Sequence, residues 1–104
     1  MAFELILALT ASSIDAVANA LRALSGQSYE RHDSLYLGEY NQFAFPEQLQ
    51  VKYNFVESEQ EWDYPEFKQQ NILVVIGKTE RPEYFRKLAA DAGFEIKEVQ
   101  CNSF

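Results

Sequence analysis

Two segments of this 104-residue chain leave its fold little freedom. In residues 3–10, Phe3, Leu5, Leu7 and Leu9 alternate with Glu4, Ile6, Ala8 and Thr10, so from Leu5 to Leu9 an extended strand is apolar on both faces. Ile72–Ile76 is a second unbroken apolar run, rich in β-branched residues. A strand apolar on both faces needs cover on both, which places it in the middle of a sheet. The two segments are therefore expected to lie side by side.

Each is followed by a helix signal. Ser12 stands as an N-cap with Asp15 three residues on, a carboxylate suited to the positive end of a helix dipole. Ile14, Val17, Leu21 and Leu24 recur at helical spacing and Gly26 can supply a left-handed stop, so the spacing predicts a helix over 13–25. After the second run, Thr79 is the expected cap and Pro82 is tolerated in the first turn. Phe85, Leu88, Ala89 and Ala92 form the apolar stripe of this helix, and Gly93 closes it.

Between these units, Tyr29–Arg31 and Leu35–Tyr40 read as strands joined at His32-Asp33-Ser34, with Gly38 marking a bulge. Leu49, Val51, Tyr53 and Phe55 alternate with Gln50, Lys52 and Asn54, the pattern of a strand with one buried and one wet face. Residues 57–71 lack an apolar period and read as a long loop with a short helical turn after Pro65. In the last segment Phe94 and Ile96 share one parity while Val99 and Cys101 share the other, so strand 94–101 needs a bulge or break near Lys97-Glu98. The expected fold class is α+β: residues 1–104 form one domain, a two-layer sandwich with two helices on one face of a mostly antiparallel sheet. Its nearest named arrangement is the ferredoxin-like split βαβ with an extra strand. A short α/β fold with a mixed sheet is the alternative.

Composition narrows the function classes. Nine Lys and Arg against sixteen Asp and Glu give a net charge of −7, which disfavours direct binding to nucleic acid or to an anionic membrane. Cys101 is the sole cysteine, so an intrachain disulfide and a cysteine zinc cluster are both excluded, in keeping with a reducing cytoplasm. The first residues carry Glu4 and no base before Arg22, against the pattern of an export signal. The longest apolar runs are far shorter than the roughly twenty residues that span a bilayer.

Candidate catalytic motifs fail on their own chemistry. Gly77-Lys78-Thr79 imitates the end of a phosphate-binding loop, but the glycine required upstream is replaced by Ile72 inside the strand. His32 is the only histidine and no nucleophile elbow surrounds any serine. His32-Asp33-Ser34 is read as turn chemistry. Cys101 has no feature that lowers a thiol pKa. No catalytic residue, cofactor or metal is assigned, and the glycine and ligand order of a calcium loop are absent.

The acidity, by contrast, is local. Glu57, Glu59, Glu61, Asp63 and Glu66 bring −5 to ten residues without a base, and the eleven acids and nine bases elsewhere leave −2. Drawn out as a strand, the first four would sit on one face about 6–7 Å apart. Trp62 and Tyr64 are interleaved with them, residue types favoured in interface hot spots, and acids steer association with a basic surface. The leading expectation is a small cytoplasmic binding or inhibitor protein, of the immunity-protein or nucleic-acid-mimicking kind, that blocks a basic partner such as a toxin or a nucleic-acid-binding enzyme. The partner-binding residues are then Glu57, Glu59, Glu61, Trp62, Asp63, Tyr64 and Glu66. Tyr36, Tyr40 and Tyr53 either extend this patch or form cross-strand pairs. A second expectation is a homodimeric ligand-binding module with a pocket lined by Tyr36, Tyr53 and Trp62. A third is a small enzyme in which Glu39 or Glu30 faces His32.

Overall fold

The two doubly apolar segments are adjacent antiparallel strands, β1 (Phe3–Leu9) and β7 (Ile72–Thr79), with Leu5 opposite Ile76 and Leu9 opposite Ile72. They lie in a computed structural model that describes residues 1–34, 38–57 and 59–103. Between and after them come α1 (Ile14–Ser25), β2 (Tyr29–Ser34), β3 (Gly38–Phe43), β4 (Leu49–Tyr53), β5 (Phe55–Val56), β6 (Glu61–Trp62), α2 (Pro82–Asp91) and β8 (Ile96–Ser103). A short 3₁₀ turn at Pro65–Phe67 precedes β7, as the proline predicted.

Six strands form one sheet in the order β2-β3-β4-β7-β1-β8, and every neighbouring pair is antiparallel. β1 and β4 consequently point the same way with β7 between them, and β7 and β8 do so with β1 between them. The fold is α+β, with a two-stranded β5–β6 ribbon beside the main sheet. No helix among the described residues is long and apolar enough to cross a membrane.

Alternation along β1 sorts the core into two layers. Leu5, Leu7 and Leu9 join Val51, Ile72, Val74 and Ile76 beneath Ile14, Val17, Ala18 and Leu21 of α1 and Phe85, Leu88 and Ala89 of α2. Ile6, Ala8 and Leu73 point the other way and are covered by Tyr64 and Phe67, with Val75 and Val99 at the margin. The second cover thus comes from the segment that read as an open loop. Each large apolar side chain closed off in this way contributes about 1.5–3 kcal/mol.

Several boundaries differ from the sequence reading. The cap of α1 is Ser13, whose hydroxyl accepts from the Ala16 N–H, while Ser12 is exposed. Gly26 ends the helix at φ 75° with its N–H on the Arg22 carbonyl. Thr79 does not cap α2: it ends β7, and Arg81 stands before Pro82. His32, Asp33 and Ser34 belong to β2 rather than to a turn, because the pairing with β3 runs on to Ser34 opposite Gly38. Leu35, Tyr36 and Leu37, assigned to a strand from sequence, lie outside the described residues.

The parity break near the C-terminus is a bulge. Leu7 faces Glu98 and Ile6 faces Gln100, so Val99 is the extra residue. It lets Ile96 and Cys101 pack on the helix side while Val99 packs on the other.

Candidate functional site

The acidic segment has its own architecture. β4 stops at Tyr53, and after Asn54 the chain forms a tight ribbon in which Phe55 faces Trp62 and Val56 faces Glu61. Its turn is held by the Glu59 N–H on the Val56 carbonyl (3.2 Å) and the Gln60 N–H on the Glu57 carbonyl (3.2 Å), with Gln60 at φ 55°. The five acids therefore do not form one extended row. Glu57 and Glu59 sit at the turn, Glu61 on β6, Asp63 after it and Glu66 in the 3₁₀ turn, because the chain reverses direction between Glu57 and Glu61.

Asn54 organises the chain beyond the ribbon. It is fully buried, and its side-chain N–H groups point at the carbonyls of Tyr64 (3.3 Å), Phe67 (3.0 Å) and Gln70 (3.1 Å). Its side-chain oxygen accepts from the Tyr64 N–H at 2.9 Å. The backbone adds the Asp63 N–H on the Asn54 carbonyl and the Asn54 N–H on the Asn71 carbonyl. At the far end Asn71 exchanges two hydrogen bonds with the backbone of Ala11, and the Thr10 hydroxyl donates to Gln69. Residues 63–71 are thus a strap tied at both ends across the second face of the sheet.

Charge is distributed unevenly over this segment. Asp63 pairs with Lys52, an ammonium on β4 whose side chain is only 8% exposed. The face of β4 read as wet is therefore half closed, since the strap covers it. Glu57, Glu59, Glu61 and Glu66 are exposed and, among the described residues, form no ion pair. Trp62 is half-buried with its ring 5.2 Å from that of Phe55. Tyr64 turns toward the apolar layer under the strap. Burial raises its phenol above the ordinary value, and nearby Glu4, Asp63 and Glu66 push it the same way.

The remaining candidates are dispersed. His32 stacks on its cross-strand neighbour Tyr40 (5.2 Å, 15°) and lies 3.7 Å from Glu30. Glu39 instead pairs with Arg31, which also holds Asp15 of α1. Tyr53 belongs to the helix side, where its hydroxyl accepts from the Ile14 N–H, whereas Trp62 belongs to the ribbon. Tyr36 and Ser58 lie outside the described residues.

Of the Gly77-Lys78-Thr79 stretch, Lys78 and Thr79 line an open cleft of about 610 Å³ with Ala2, Pro46, Glu47, Glu80 and Arg81. There the Thr79 hydroxyl and the Arg81 guanidinium both donate to Glu47. Among the described residues, no three His, Cys, Asp or Glu side chains are grouped as a metal requires.

Two residues central to this arrangement escaped the sequence reading, Asn54 and Lys52. Their signal was present. Asn54 stands at the last polar position of the alternation from Leu49 to Phe55, and Lys52 sits in mid-strand, just before a segment rich in acids. No known protein family matches the chain, and comparison with curated proteins and with solved structures finds no match either.

Proposed function

We propose that this chain is a small cytoplasmic binding protein that blocks a basic protein surface, in the manner of an immunity protein or another inhibitor of a toxin or nucleic-acid-binding enzyme. One observation carries the reading: Glu57, Glu59, Glu61 and Glu66 are exposed on a segment whose shape is held by other groups. Acids that take no part in holding their own loop are available to steer and pair with Lys and Arg, and a loop already ordered loses little entropy on binding. Trp62, half-exposed between Glu61 and Asp63, supplies the apolar contact.

The framework in this reading is a ferredoxin-like split βαβ. Its support is the order β4-β7-β1-β8 with a helix in the crossover from β1 to β4 and another from β7 to β8. The β2–β3 hairpin is then an addition beyond β4, and the strap fills the face that the helices leave open.

The test compares the wild-type chain with a Glu57→Gln, Glu59→Gln, Glu61→Gln, Glu66→Gln variant as immobilised baits for native-cell extract at graded salt. A basic protein retained by the wild type at low salt, released by added salt and not retained by the variant supports the proposal. Its purified affinity should fall about tenfold or more in the variant. Equal retention by both baits, or binding indifferent to salt, overturns it.

A further inference from the structure

We infer that Asn54 is a latch: the strap over the second face of the sheet opens and closes as one unit about this side chain, and its closure sets the acidic surface in place. The second clause rests on the binding role proposed above, whereas the first does not. The geometry behind the latch is a single buried amide satisfying four backbone groups of another segment. Its two N–H groups are shared among three carbonyls, spaced from Tyr64 to Gln70, and its oxygen takes the Tyr64 N–H. Opening the strap frees all four together and uncovers Ile6, Ala8 and Leu73, so intermediate positions are penalised twice. Outside this contact the strap is fastened by Lys52–Asp63 and the Asn71 and Thr10 ties, while its outward residues face water.

Only a group that is both donor and acceptor fits there, and this gives the test its sign. Asn54→Asp keeps the acceptor but aims a carboxylate at three carbonyl oxygens. Such surroundings favour the neutral acid, whose O–H can donate to one of them, so this variant should close again on acidification. Asn54→Ala has nothing to restore. The charged and titratable groups on β4 and the strap, Lys52, Asp63, Tyr64, Glu66 and Lys68, are the same in both variants, so their own titration cancels in the comparison.

Amide hydrogen exchange on the full chain reads this directly. In the wild type under mild denaturant, the amides of Asn54, Asp63, Tyr64, Phe67 and Gln70 should share one opening, reached before the amides of β1 and β7 exchange. At about pH 8 both variants should lose at least tenfold in protection at these amides. At about pH 5.5 Asn54→Asp should recover and Asn54→Ala should not. A basic partner isolated as above should follow the same pattern in its affinity for the two variants.

Wild-type strap amides that exchange only with β1 and β7 overturn the latch, even if a variant fails to fold. Variants that respond alike to acid also overturn it. If the exchange results hold while the glutamate substitutions leave binding unchanged, the latch stands and the binding role falls.

Discussion

Lys52 and Asp63 form an ion pair on the face of β4 that strict alternation would leave to water. The lysine is almost wholly buried and the aspartate is 30% exposed, so the pair sits at the margin of the strap. Removing one partner leaves a buried charge without its counter-ion, whereas removing both does not. Asp63→Ala should cost about 2 kcal/mol in urea unfolding. Lys52→Met combined with Asp63→Ala should return to within about 1 kcal/mol of the wild type.

The cap of α1 separates two adjacent serines. Ser13→Ala removes the acceptor for the Ala16 N–H and should cost about 1 kcal/mol, while Ser12→Ala should stay within about 0.5 kcal/mol of zero. Thermal unfolding of the two variants decides between them.

Glu47 gives the chain an acid-sensitive contact. Hydrogen bonds from Arg81 lower its carboxyl from 4.5 to about 2, with the Thr79 hydroxyl helping and burial opposing. A carboxyl depressed in the folded state contributes stability that is complete above about pH 4.5 and fades as pH falls toward 2. Arg81 is half-exposed, with its guanidinium 4.5 Å from the centre of the Tyr84 ring, and solvent screening reduces the contribution to about 1–2 kcal/mol. Glu47→Gln should therefore be less stable than the wild type at neutral pH by that amount, and the gap should close in acid unfolding curves near pH 2.

The bulge at Val99 makes an unusual deletion tolerable. Without Val99, Leu7 opposite Glu98 and Ile6 opposite Gln100 become consecutive pairs of a regular ladder, and Ile96 and Cys101 keep their side of the sheet. The variant should fold with the native register and lose about 1–2 kcal/mol for the missing side chain. Chemical shifts of β1 and β8 together with a denaturation curve test both halves of this expectation.

The elements were legible where one local rule governed them. Double-sided apolarity marked β1 and β7 as central, the parity clash placed the bulge within a residue or two, and Gly26 and Pro65 punctuated as expected. The hidden features depend on residues far apart in sequence. His32-Asp33-Ser34 has the composition of a turn, yet pairing with β3 draws it into a strand. The second cover of Ile6 and Ala8 comes from Tyr64 and Phe67, which show no period because they pack from a strap rather than from a helix or strand. The acidic residues could be picked out by composition alone. Their arrangement around a ribbon and a buried asparagine could not, since each bond of Asn54 reaches a different backbone group of another segment.

The position of β1 also bears on how the chain folds. Its two neighbours are β7 and β8, and Glu4 is hydrogen-bonded to Gln100, 96 residues away. The strand at the heart of the sheet thus makes no hairpin with any segment near it in sequence. Closing so long a loop costs entropy before any contact repays it, and such non-local pairings slow folding relative to helical bundles. α1 and the β2–β3 hairpin can form from local contacts alone, while the core around Leu5, Leu7 and Leu9 waits for β7 and α2, and its margin at Ile96 and Cys101 for β8. Until β8 arrives, β1 presents an apolar, unpaired edge, the kind of surface on which chains aggregate.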